Sequence, residues 1–209
     1  YIAQSQIGEA SAMIPRNLQT ATRRALEAIV EQHGDIDGFV ADRLDWSVGE
    51  MRERGYLSPE QVDAVAMMIH AQENDRGCLE ADQTGLGKGR TMAAMARYAA
   101  LSGRTTVFLT ETPTLFTDLW RDLQDIGSEA LFTPMIVNDG VPVYDPKTGE
   151  TLVPATPKSV IKRAIENDEV PDGYNLVLAT YSQFSRSPES SPKARWIGGA
   201  TRNAQLLMD

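Results

Sequence analysis

The run Ala81-Asp82-Gln83-Thr84-Gly85-Leu86-Gly87-Lys88-Gly89-Arg90-Thr91 constrains this chain more than any other segment. It stands between Gly77 to Ala81, a short stretch that reads as a β-strand, and an Ala- and Met-rich stretch from Thr91 to Leu101 that reads as a helix. A strand that turns through two glycines into a helix gathers backbone N–H groups and the positive end of a helix dipole at one point. Such a point binds anions, and a lysine there reaches the outer phosphates of a polyphosphate. Gly85, Gly87 and Lys88 supply these parts in the required order. The alternative is a plain Gly-rich turn before a helix.

The surrounding chain has the rhythm that such a turn needs. Residues 1–56 read as a helical N-terminal appendage, with Leu18, Ala21, Ala25, Ile29 and Val30 near helical spacing and Gly34 as a stop. Phe39, Val40, Leu44 and Trp46 suggest a further short helix. Ser58-Pro59-Glu60-Gln61 is a helix start, with Ser as N-cap, Pro at the first position and Gln at the third. Beyond it, strands expected at 77–81, 105–110, 134–137, 176–180 and 205–208 alternate with helices, among them 115–126 ended by Gly127. This alternation implies an α/β fold with a mostly parallel sheet flanked by helices over 57–209. A segment of about 139–157 breaks the pattern and reads as a rim hairpin around Pro146-Lys147-Thr148-Gly149.

Composition narrows the class. With 29 acidic and 20 basic residues the formal charge is −9, which argues against a protein that coats DNA in bulk but leaves room for a local basic groove. Arg97, Arg104, Lys158, Lys162 and Arg163 are the candidates for one, beside the alternative of scattered surface charge. No apolar run approaches the ~18–20 residues that span a bilayer. A single cysteine, Cys78, excludes a disulfide framework and any Cys-based zinc site; it reads as a core residue in a cytoplasmic protein that is not secreted. His33 and His70 are far apart in sequence with no ligand spacing. Trp120 lies beside an apolar helical stripe and reads as packing.

Two departures from the general phosphate-loop pattern carry information. Asp82 stands where that pattern has its first Gly, and Gly89 where a Ser or Thr hydroxyl would ligate Mg²⁺. Thr91 is no simple substitute, since two residues on it points to nearly the opposite side of the helix. Asp-x-x-Gly-x-Gly-Lys resembles motif I of superfamily 2 helicases, and the extension Gly-Lys-Gly-Arg resembles the Strawberry notch-type helicase domain with its bacterial and phage relatives. Leu57 to Val65, Arg121-Asp122-Leu123-Gln124-Asp125-Ile126-Gly127 and Leu178-Ala179-Thr180-Tyr181-Ser182 resemble further segments of that family in the same order. Leu206-Leu207-Met208-Asp209 resembles the start of motif II, which leads to the expectation of a longer parent chain.

The resemblance implies a P-loop RecA-like lobe that binds ATP with Mg²⁺. Lys88 would hold the β/γ-phosphates, and Thr84, Gly85, Leu86, Gly87, Lys88, Gly89 and Arg90 would form the cradle. Asp209 would be the catalytic acid that holds Mg²⁺. Gln61 would resemble the glutamine that reads adenine; its other reading is the third residue of a capping box. Thr112 and Thr114 in one loop, and Thr180 and Tyr181 in another, would meet a nucleic-acid backbone, DNA rather than RNA. A second RecA-like lobe, and a methyltransferase-like domain of the same parent, are the implied partners, in a bacterial or phage-encoded protein. The fragment alone is expected to be inactive. A P-loop kinase of another class and a degenerate, structural P-loop domain are the competing readings.

Overall fold

The computed structural model describes residues 3–10, 16–80, 87–184, 191–200 and 205–208. The chain forms two compact units, one of residues 1–98 with 125–127 and one of residues 99–124 with 128–209. The boundary expected at 56/57 does not coincide with this division. The helix that begins at Pro59 packs on the helices before it, because its apolar face (Val62, Val65, Ala66 and Ile69, all buried) has its partners there.

The first unit is helical: α1 (Arg16–His33), α2 (Ile36–Arg43), α3 (Val48–Arg54), α4 (Pro59–Glu73) and the start of α5 (Lys88–Leu101). α1 ends where expected, at Gly34 with φ 97°, but its buried positions are Leu26 and Ile29, while Leu18 is exposed. They join Ile36, Phe39, Val40, Leu44, Met51 and the α4 stripe in the unit's core. Side chains cap the orphan N–H groups at the helix starts: Asp35 accepts from Gly38 N at 2.7 Å, and Ser47 from Glu50 N at 3.0 Å. Residues 77–80 do not form the expected strand. A strand exists only against a partner, and no described residue pairs with these four; Leu79 is 88% exposed and Cys78 is exposed rather than in a core.

The second unit holds β1 (Thr106–Thr110), α6 (Thr114–Asp125, shared at its end with the first unit), β2 (Pro134–Ile136), β3 (Val143–Tyr144), β4 (Thr151–Val153), α7 (Lys158–Asn167), β5 (Leu176–Thr180), α8 (Pro192–Ala200) and β6 (Gln205–Met208). Four strands make a parallel sheet of order β2-β5-β1-β6, in which Thr110 pairs with Thr180 and Phe108 with Leu207. Every residue of β1 and β5 is buried, as expected where helices cover both faces of a parallel sheet. On one face Val107, Leu109, Met135, Val177 and Ala179 meet Ile161 and Ala164 of α7 and Trp196 and Ile197 of α8. Phe108, Ile136 and Leu178 alternate to the other face. Within the segment expected to form a hairpin, β3 and β4 pair antiparallel. At its tip Asp145 accepts from Lys147 N at 2.7 Å and Thr148 N at 3.2 Å, which hold its carboxyl below the usual carboxylate range. Among the described residues no helix is long and apolar enough to cross a membrane.

Candidate functional site

The phosphate-loop motif is described from Gly87 onward; Thr84, Gly85 and Leu86 lie outside the described residues, as do Asp82 and Asp209. Gly87 has φ 78°, a left-handed conformation that a side chain resists, and Lys88 is the first residue of α5. The Gly87 carbonyl accepts twice, from Arg90 N at 2.9 Å and from Gln61 Nε2 at 3.0 Å. With both lone pairs engaged, this peptide unit is locked at the mouth of α5. A Cβ built on Gly87 would collide with Gln61 Nε2, so glycine is required on two independent grounds.

Gln61 itself is buried at the start of α4. Its Oε1 accepts from Ser58 N at 2.8 Å while Ser58 Oγ accepts from Gln61 N at 3.4 Å, so the capping box is formed. One side chain therefore ties the start of α4 to the start of α5, through a hydrogen bond between residues 26 apart in sequence. Neither composition nor periodicity signals that link. Arg90 turns toward α3 and the end of α6: its guanidinium donates to Gly55 O at 3.3 Å and to Asp125 Oδ2 at 3.1 Å. Thr91 is buried, with its hydroxyl 2.6 Å from Lys88 O and 2.7 Å from Glu80 Oε2. Its single proton serves one of those two acceptors, and the oxygen is directed away from solvent.

In the second unit, the carboxyl ends of β1, β2 and β5 gather a polar cluster, the position where open parallel sheets place their ligand sites. Thr112, Thr114 and Tyr181 are exposed there. Thr180 is not: it is 1% exposed, and Asn138 brackets it, donating from Nδ2 to Thr180 Oγ1 at 2.8 Å and accepting from Thr180 N at 3.1 Å. Its hydroxyl also lies 2.8 Å from Ser182 Oγ. Lys193 donates to Val137 O at 2.8 Å and Gln183 Oε1 at 2.9 Å, which pins α8 to the same strand ends. Thr180 thus fixes the start of the 3₁₀ turn Tyr181–Phe184.

The family described as P-loop containing NTP hydrolase pore-1 matches the chain over residues 43–208, well over half its length. The chain belongs to this family. No curated protein matches it. A P-loop NTP hydrolase binds nucleotide, and the residues present fit that task. A Cβ on Gly87 would collide with Gln61, a lysine stands at a helix N-terminus, and the Gly87 carbonyl is turned onto Gln61 and Arg90. When bound, a divalent cation would neutralise charge on the β- and γ-oxygens of the nucleotide. Thr91 does not supply a ligand to it, and among the described residues no group of three or more His, Cys, Asp or Glu is placed to hold a metal.

Other sequence candidates resolve differently. Arg97 is not an exposed groove cation. It is buried, with Nε donating to Leu44 O at 2.6 Å, Nη2 to Asp45 O at 3.3 Å, and its guanidinium 4.8 Å from the centre of the Trp46 ring. Desolvation lowers its pKa, opposed by Asp45 and Glu50. Arg104, Lys158, Lys162 and Arg163 are exposed. Trp120 is buried, as its stripe implied. His33 and His70, remote in sequence, come within 6.2 Å between ring centres because α1 packs on α4.

Proposed function

We propose that this chain is the nucleotide-binding first lobe of an ATP-dependent nucleic-acid helicase or translocase of superfamily 2, of the Strawberry notch type, within a larger bacterial or phage protein. The observation that carries the proposal is the locked Gly87 peptide followed at once by Lys88 at the start of α5, within the Gly-Lys-Gly-Arg sequence. Lys88 and the positive N-terminal end of α5 hold the β/γ-phosphates of ATP and offset their charge as the γ-phosphoryl group departs. With Gly89 in place of a hydroxyl residue, Mg²⁺ would rely on water, on the nucleotide and on Asp209. Gln61 serves the site by holding the Gly87 peptide.

Thr112, Thr114 and Tyr181, exposed at the ends of β1 and β5, supply hydroxyls and a ring for a nucleic-acid backbone, DNA in preference to RNA. The remaining machinery of phosphoryl transfer, an arginine finger above all, comes from a second RecA-like lobe. A methyltransferase-like domain is the further partner this reading carries, in the cytoplasm of a bacterial host. The test is ATP hydrolysis by the full-length protein with and without single-stranded DNA. Stimulation by DNA that disappears in Lys88→Ala supports the reading. Phosphoryl transfer to a small acceptor with no response to nucleic acid would replace it with a kinase of another class.

A further inference from the structure

Residues 3–8 precede every helix, and their burial alternates: Ala3, Ser5 and Ile7 point inward while Gln6 and Gly8 face out. That is the period of extended backbone, but among the described residues this segment has no β partner. Two carboxylates of the helical unit take the place of the ladder. Asp63 of α4 accepts from Gln4 N and Ser5 N, each at 2.9 Å on a different oxygen. Asp37 of α2 accepts from Gln6 N at 2.8 Å, and Arg52 of α3 donates to Gln6 O at 3.1 Å. Asp63 is fully buried and Asp37 nearly so, and among the described residues Asp37 Oδ1 has no hydrogen-bond partner. Buried carboxylates are costly unless several N–H groups converge on them, so the segment and the two aspartates depend on each other.

The segment is joined to the phosphate loop by one short stretch of helix. Gly8 lies over Pro59, close enough that a Cβ there would meet the ring at 3.7 Å. Pro59, Gln61 and Asp63 share the first turns of α4: the first touches the segment's end, the last holds its backbone, and Gln61 between them holds Gly87. A helix transmits displacement over two turns as a rigid body.

We propose that residues 3–8 are a strap, read through its backbone by Asp63 and Asp37, whose docking sets the position of α4 and through Gln61 the conformation of Gly87 at the phosphate loop. Asp63 and Asp37 are then positioning residues. The effect on nucleotide affinity rests on the nucleotide-binding reading above; the link from strap to Gly87 does not.

The test uses the full chain and two variants that reach the clamp from opposite sides. Asp63→Asn keeps the shape of the side chain but turns one acceptor into a donor facing a backbone N–H. Gln4→Pro removes the N–H on the strap and leaves α4 untouched. Hydrogen exchange at the Ser5 and Gln6 amides should rise at least ~10-fold in both variants. The side-chain amide resonance of Gln61 and the backbone resonances of Gly87 and Lys88 should shift, and affinity for a fluorescent ADP analogue should fall several-fold. Unchanged exchange at Ser5 and Gln6 would overturn the clamp. Released strap amides with unmoved Gln61 and Gly87 resonances would overturn the coupling. If the unmodified chain binds no ADP analogue, the nucleotide reading fails while the resonance shifts still decide the coupling.

Discussion

Gly87→Ala and Gln61→Ala, alone and together, probe the junction between α4 and α5. In Gly87→Ala the new Cβ must hold φ near 78°, which costs about 1–2 kcal/mol for an L residue. It also displaces Gln61 from two hydrogen bonds, to Gly87 O at 3.0 Å and from Ser58 N at 2.8 Å, each worth about 1 kcal/mol net. The expected cost is therefore about 3–4 kcal/mol, well above that of a glycine replaced on φ grounds alone. Gln61→Ala forfeits the same two bonds, about 2 kcal/mol. Once Gln61 is gone the Cβ meets no other described residue, and Gly87→Ala then adds only its backbone cost of about 1–2 kcal/mol. The double variant should thus be less destabilised than the sum of the singles, by about 2 kcal/mol. The assay is a urea titration of the four proteins, read from NMR intensities of α4 amides. Additivity to within about 0.5 kcal/mol would refute the claim that one contact makes both residues necessary.

Three further outcomes follow from buried or hydrogen-bonded groups elsewhere. Arg97→Ala leaves the Leu44 and Asp45 carbonyls unsatisfied and strips the Trp46 face, so urea unfolding of the first unit should show a loss of about 3 kcal/mol, while Arg97→Lys should recover part of it. Asn138→Ala orphans the buried N–H of Thr180, leaves its hydroxyl with Ser182 Oγ alone, and should cost about 2 kcal/mol in the second unit, with the Tyr181 amide resonance shifted. The Asp145 carboxyl is depressed in the folded hairpin, so its contribution is complete above the ordinary value of about 3.9 and is lost as pH falls through the lower folded value. The Lys147 and Thr148 amide shifts should accordingly titrate below pH ~3.9, and a midpoint above it would contradict the turn geometry.

The parts of the fold that were legible in the sequence are those governed by local rules. Thr106–Thr110 and Leu176–Thr180 are short apolar runs between breakers, and both are buried parallel strands. Ser58, Pro59 and Gln61 form a capping box on a helix that starts where their spacing says. The hairpin turn is set by Asp145 and Gly149 within six residues. What was not legible depends on neighbours distant in the chain. The residues 77–80 have strand composition but no described partner, and composition cannot provide one. Arg97 looks like surface charge until the Leu44 and Asp45 carbonyls are seen to point at it across 53 and 52 residues. The strap has no helical period and no turn signal; its order comes from Asp63, 58 and 59 residues away. For the candidate site the division is the same. The glycine and lysine were named by the motif, whereas the role of Gln61 in holding Gly87 required the packing of α4 beside α5's first turn.

In the proposed function, Gly87 and Lys88 at the start of α5 hold the phosphates of a nucleotide whose hydrolysis is coupled to nucleic acid. The most direct measurement is the steady-state ATPase rate of the full-length protein at saturating single-stranded DNA, for the natural sequence and for Lys88→Ala. The DNA-stimulated rate should fall about 10²–10³-fold in the variant, the scale on which one preorganised charge at a developing anion acts. A DNA-stimulated rate that survives Lys88→Ala unchanged would contradict it.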